Sequence, residues 1–233
     1  MDLKTINVPI KQAYSVLAEY RSRYPVSNEY PFLIESEETL ELLKEASQSI
    51  PDSTSEIIQS SYSIDPNEWL AKRREEEEEE GFTEDLILGE LSEQLLEQLL
   101  AETQDISVSS LKQRTYKGLS TGTEVLIGLV SIEEPWHLPA ILKYGDWNDC
   151  PHPSVHCALH RKWQSEYGAN IIAVTHDTIE CVVQKPPMDQ EKSLELAWQQ
   201  YWYCRDIVEQ GCKTVALLAA SCLKEAFWYF WWD

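Results

Sequence analysis

Cysteine and histidine crowd into one half of this 233-residue chain. Cys150, Cys157, Cys181, Cys204, Cys212 and Cys222, with His137, His152, His156, His160 and His176, all follow residue 136. The densest stretch is DWNDCPHPSVHCALH, from Asp146 to His160. If Pro153 opens a helix, His156 and His160 fall four apart on one face. Cys157 stands three before His160, and Cys150 and His152 lie in the preceding loop. Zinc accepts ligands of these types, so Cys150, His152, His156, Cys157 and His160 are candidate metal ligands. The spacing matches none of the paired-cysteine zinc patterns, and no metal is favoured. In the plainer reading, Cys150 and Cys157 fill space as small apolar residues, His156 is hydrogen-bonded within the helix and His160 is at the surface. A second chemistry makes Cys150 a nucleophile near a helix N-terminus, with His156 as its base and Asp177 or Glu180 orienting the imidazole. The scatter of six cysteines, four with ordinary core roles, weighs against it.

Two further groups have chemical potential. Trp136, Asp146, Trp147, Asn148 and Asp149 form an aromatic and acidic loop able to grip a basic peptide or a small ligand, since tryptophan joins contact area to cation–π attraction. Otherwise both tryptophans seal the end of a sheet. Asp177, Glu180, Asp206 and the terminal Asp233 are carboxylates that strand ends could bring together, although Asp206 beside Arg205 suits a local pair or cap. No phosphate loop, GxGxxG or HExxH motif occurs in the sequence.

The elements that must position these groups follow from pattern. Residues 8–24 allow a helix with Ala13, Val16, Leu17 and Tyr20 on one face. YPFLI suits a strand at an edge or at the start of a sheet, because of Pro31. ESEETLELLKEA reads as a helix capped by Ser36 that buries Leu40, Leu42 and Leu43. In DPNEWLAKRREEEEEE, Asp65 caps, Pro66 fits the first turn, and Arg73 and Arg74 reach Glu77 and Glu78. The glutamate run is a solvated tether or a partner-binding face. Leu88, Leu91, Leu95 and Leu99 mark an amphipathic helix. EVLIGLVSI is a strand, residues 153–167 a helix closed at Gly168, and NIIAVTHDTIECVVQKPP two strands meeting near His176–Thr178. Helices follow over EKSLELAWQQYWYCRDIVEQG, ending at Gly211, and over TVALLAASCLKE.

AFWYFWWD closes the chain. As a strand it is aromatic on both faces, so it is expected inside the molecule, inserted between EVLIGLVSI and the NIIAVTH/IECVVQK pair. A dimer interface is the other way to cover it.

The formal net charge is −21. Residues 1–132 hold 11 Lys/Arg against 26 Asp/Glu, and residues 133–233 hold 8 against 14. That field repels nucleic acid and anionic membranes and favours a basic protein partner. No apolar run is long enough to span a bilayer, and MDLKTINVPIKQAY lacks the layout of a secretory signal, so a cytoplasmic location with reduced thiols is expected.

The segments EEPWHLPAILKYGDWNDCP, RKWQSEYGANIIAVTHDTIECVVQKPP, LELAWQQYWYCRDIVEQG and FWYFWWD resemble an uncharacterised bacterial family, the domain of unknown function 4253. YPFLI and IDPNEWLAKRREEE are similar to the leading portion of its longer members. That family often carries glycine where this chain has Asp146, and the family-like residues of the Cys/His cluster are chiefly Cys150 and His156. The resemblance implies an α+β domain and no established activity. The expectation is therefore an α+β protein with a mixed or antiparallel sheet, a buried aromatic C-terminal strand and helices on the sheet faces. Its parts are an acidic, mainly helical region over 1–104, a connector over 105–123 and the family-like domain over 124–233. The missing motifs favour an acidic protein-interaction module, of inhibitory or immunity type, without a cofactor. The alternative is an enzyme or zinc protein centred on Cys150 and His156.

Overall fold

The computed structural model describes residues 3–79, 81–89, 123–223 and 225–233. Of the leucine-spaced helix expected over residues 85–102, only Asp85–Leu88 is described as helix, ending at Gly89; its remainder and all but the last residue of the 105–123 connector lie outside the described residues.

Six strands form one mixed sheet: β1 (Lys4–Pro9), β2 (Glu29–Ile34), β3 (Glu124–Ser131), β4 (Asn170–Val174), β5 (Thr178–Val182) and β6 (Phe227–Trp231). Their spatial order is β1-β3-β2-β4-β5-β6, with β2 and β4 parallel and every other pair antiparallel. The fold is α+β, as expected. Strand β1 carries only one buried residue, Val8, and the sequence reading missed it. Strand β2 lies in the middle of the sheet, which corrects its expected place at an edge or start. Pro31 is tolerated there because pairing with β4 begins only at Leu33, beyond the residue that lacks an N–H.

Alternation along the strands divides the interior into two cores. Val8, Leu33, Val125, Ile127, Leu129 and Ile172 face α1 (Ala13–Ser27) through Ala13, Tyr14 and Leu17. Tyr30, Phe32, Ile34, Leu126, Val130, Trp228 and Phe230 face the larger core on the other side. There α2 (Glu37–Ala46), α4 (Pro66–Glu79), α7 (Pro153–Tyr167), α8 (Gln190–Tyr203) and α9 (Val215–Cys222) bury their apolar sides. The short helices α3 (Thr54–Ser61) and α6 (Leu138–Leu142) pack on α7 around Trp136 and Cys157, and α5 (Asp85–Leu88) lies close to α9. Among the described residues, no helix is long and apolar enough to cross a membrane.

Local signals set most helix ends. Ser36 accepts from Thr39 N, Asp65 from Asn67 N and Glu68 N, and Gly168 leaves α7 with φ +62°. Three expectations need correction. Leu42 is exposed, because α2 presents a face only wide enough for Leu40 and Leu43. Helix α8 ends at Tyr203, not Gly211: Cys204 is extended (φ −149°, ψ 90°), and the chain turns again in a wide π-type segment, Ile207–Cys212. The terminal strand is an edge strand beside β5, not inserted between β3 and β4. Trp228, Phe230 and Trp232 are buried, but Tyr229 is 45% exposed and Phe227 and Trp231 are half-buried. One aromatic face suffices, because Trp163 stacks on Phe230 at 5.5 Å and stands edge-on to Trp228 at 5.8 Å.

Candidate functional site

Helix α7 and the loop before it build the centre. Helical spacing puts His156, His160 and Trp163 on one side of α7, facing α8 and β6. Cys150 Sγ is 3.4 Å from His156 Nε2, so the expected thiol–imidazole pair is present. The orienting group is Tyr203 of α8, whose hydroxyl is 2.6 Å from His156 Nδ1 and 3.1 Å from His160 Nε2. Cys181 Sγ of β5 stands 3.9 Å from His160 Nδ1. One proton order serves the whole chain: Cys181 S–H to His160, His160 Nε2–H to Tyr203, Tyr203 O–H to His156, and His156 Nε2–H towards Pro151 and Cys150. Each imidazole then carries a single proton and is neutral. Tyr203 and Cys181 went unrecognised in the sequence, where no local spacing ties either to His156.

The loop must approach His156 closely, and Gly145 permits it. At φ +114°, a Cβ there would lie 1.9 Å from the Pro151 carbonyl oxygen and 2.8 Å from His156 Nε2. Asp146, at the position where the resembled family often has glycine, sits at φ +69°, and Asn148 at φ +46°. Asp146 N donates to the carbonyls of Cys150 and Pro151, and Cys150 N donates to that of Trp147. The turn holds Cys150 beneath it at 4% exposure.

Burial dominates the electrostatics. The Cys150 thiol is pushed far up, first by desolvation and then by Cys204, Asp149 and Asp146. A nearby helix N-terminus offers far less than full desolvation withdraws, so the sulfur keeps its proton. Desolvation likewise drives His156 well below the ordinary imidazole value and His160 down to about 3. His160 is 2% exposed, which corrects its expected surface position. Tyr144 and Trp232 ring His156 at 5.4 and 5.3 Å. Among the described residues, Tyr144 Oη and Trp232 Nε1 have no hydrogen-bond partner.

The remaining candidates disperse. His152 caps α7, accepting from Ser154 N, and its Nε2 lies 3.5 Å from Asp52. Cys157 points into the separate core of Ile50, Ile57, Trp136 and Ala140, with burial pushing its thiol up to about 12. Among the described residues, no three His, Cys, Asp or Glu side chains gather to hold a metal. Asp177 accepts from the hydroxyls of Thr175 and Thr178, and Glu180 from that of Tyr14, below the opposite face of the sheet; neither is bonded to His156. Asp206 accepts from Asp233 N, and the Asp177 carbonyl from Trp232 N, so both residues border the end of β6 through bonds to its backbone, not through paired carboxylates. Arg205 pairs with Glu77 and Glu209 instead of its neighbour Asp206.

Trp136 leaves the loop group: it is buried edge-on to Tyr62, with the Arg161 guanidinium 5.4 Å from its ring and 4.8 Å from that of Tyr62. Trp147 is half-buried on Tyr144, while Asp146, Asn148 and Asp149 are exposed. Asn148 Nδ2 donates to Asp233 O at 2.8 Å. Arg73 pairs with Asp149 rather than with Glu77, which turns to Arg205; Arg74 does pair with Glu78. These two longer-range pairs fasten α4 to the C-terminal half.

Residues 126–233 match a protein family described as Domain of unknown function (DUF4253). No curated protein and no solved structure matches the chain. The matched stretch contains β3 from its third residue, all of β4 to β6, the Gly145–Cys150 turn and the whole Cys150–His156–Tyr203–His160–Cys181 chain. It lacks β2, through which β3 reaches β4. The match to the domain of unknown function 4253 is thus confined to residues 126–233, and strands β1 and β2 from the N-terminal region complete the sheet.

Proposed function

We propose that this protein is an interaction module of the bacterial cytoplasm that binds a basic protein partner through α4 and the adjoining Trp147–Asp149 turn. The observation that carries this reading is the Arg73–Asp149 ion pair, which sets the glutamate run beside the turn. Glu75, Glu76, Glu78 and Glu79 are exposed on α4, and Asp146, Asp149 and Asp233 are exposed next to the half-buried Trp147. Acidic groups around an aromatic ring suit Lys and Arg side chains, and the net charge of −21 would steer a basic partner towards them. Inhibition of that partner, as an immunity protein inhibits a toxin, is the role such a surface suits. The test is binding of a fluorescent oligolysine peptide at low and high salt. The wild type should bind at low salt and release at high salt, and E75Q/E76Q/E78Q/E79Q and W147A should each lose about tenfold in affinity. Equal binding by wild type and both variants would remove the assigned surface.

A second reading, an enzyme centred on Cys150 and His156, is favoured by their 3.4 Å contact. It requires the loop over Cys150 to open, since the thiol is buried and protonated as it stands. In the zinc version of this reading, His152 and Cys157 would not serve as ligands beside Cys150 and His156 as they stand, since His152 lies by Asp52 and Cys157 packs in a separate core.

A further inference from the structure

Strand β6 is the outermost strand on one side of the sheet and β1 on the other. The two edges differ in chemistry. Strand β1 carries Lys4 and Pro9, which discourage pairing with another chain, whereas β6 reads FWYFW, without charge, proline or glycine. The Ala226 carbonyl accepts from Val183 N and Trp232 N donates to Asp177 O, so the even-numbered residues of β6 bond to β5. Tyr229 and Trp231 therefore turn their backbone polar groups to the open side. There Trp231 O accepts from Cys204 Sγ at 2.9 Å. No described residue bonds to the Tyr229 N–H or C=O, or to the Trp231 N–H.

Space lies beside these groups. A cavity of about 410 Å³ borders β6, its described lining including Tyr229, Trp231, Ile207 and Leu218, and Tyr229 is 45% exposed. Donors and acceptors in strand register are completed by the backbone of another extended segment. Charge selects which segment. Beyond Trp231 the chain reaches Asp233, whose N–H donates to Asp206 and whose carbonyl accepts from Asn148. The edge thus runs into the acidic Trp147–Asp149 turn. A second copy is disfavoured, because two-fold pairing of β6 centred on Tyr229 would set Asp233 against Glu225 at both ends, between chains of net charge −21.

We infer that β6 is a docking edge on which an extended, basic segment of a protein partner pairs as a further strand of the sheet. This rests on the acidic-surface reading above and states how the partner's backbone is held. Tyr229 and Trp231 bond to that backbone, apolar side chains of the segment enter the cavity, and a Lys or Arg at its end lies by Asp206 and Asp233. The probe is the acetylated, amidated peptide KTVTVTK, titrated into the full chain labelled with ¹⁵N-tyrosine. The Tyr229 amide resonance, identified by its loss in Y229F, is followed, and saturable movement is expected. N-methylation of every central amide of the peptide keeps its charge and should weaken binding about tenfold or more. Tyr229→Pro, which removes the outward N–H, should weaken KTVTVTK equally and leave oligolysine affinity unchanged. Equal binding of the plain and N-methylated peptides, or binding that leaves the Tyr229 resonance unmoved, would overturn the inference. A dimer that the peptide does not dissociate would assign the edge to a second copy, and slow hydrogen exchange of the Tyr229 amide in the free chain would assign it to another part of this chain; either result overturns the inference. Oligolysine binding without a response to KTVTVTK refutes the docking edge and keeps the acidic surface on α4, whereas the reverse pattern keeps the edge and removes that surface.

Discussion

Acid should destabilise this fold through two buried imidazoles. His156 and His160 are 0% and 2% exposed, and desolvation holds both pKa values far below the ordinary 6.5, that of His160 at about 3. In the unfolded chain both take up a proton as pH falls through 6.5, whereas in the folded protein they stay neutral. The unfolded state then binds more protons, so stability is complete above about pH 6.5 and is lost as pH falls towards 3. Each ring costs about 1.4 kcal/mol per pH unit below 6.5, or about 2 kcal/mol at pH 5, and the pair about 4 kcal/mol. That is a large share of the roughly 5–15 kcal/mol that holds a typical domain together. The assay is urea unfolding, followed by tryptophan fluorescence at about pH 7 and pH 5, for the wild type and His160→Gln. The substitution removes one of the two rings, so its loss between the two pH values should be smaller by about 2 kcal/mol. His137, also lowered by burial, titrates in both proteins and cancels in the difference. Equal losses in the two proteins, or a wild type that gains stability at pH 5, would refute the neutral buried pair.

Tyr203→Phe removes the hydroxyl shared by two imidazoles and should cost about 2–4 kcal/mol, seen as a fall in Tm of roughly 5–15 °C by calorimetry. Gly145→Ala forces a Cβ onto the Pro151 carbonyl and His156; a variant with wild-type Tm would show that the loop has room to shift. In iodoacetamide labelling of the native protein at about pH 8, Cys212, the one half-buried thiol among five buried ones, should be alkylated first by mass spectrometry. Faster labelling of Cys150 would overturn its sealed state and favour the enzyme reading. Deleting residues 1–9 removes only an edge strand and should leave a cooperative urea transition. Deleting 1–35 also removes β2, the link between β3 and β4, and should abolish it; a cooperative transition in that shorter chain would disprove the bridging role.

What the sequence determined by itself is what depends on a few adjacent residues. The limits of α7 follow from Pro153 and Gly168, and the common face of His156 and His160 follows from a spacing of four. Capping by Ser36 and Asp65, the alternating aromatics of β6 and the pairing of Cys150 with His156 were legible for the same reason: each is fixed within one or two turns of backbone. Only the tertiary structure decided which distant surfaces meet. Tyr203 is 47 residues from His156 and 43 from His160, and no local pattern selects it. The central place of β2 depends on β3 and β4 closing around it, and the edge position of β6 on Trp163 covering its inner face. The burial that keeps Cys150 protonated likewise comes from a turn, a helix and a strand packed together. Burial and desolvation belong to the assembled core, and a single segment carries neither until its neighbours are in place.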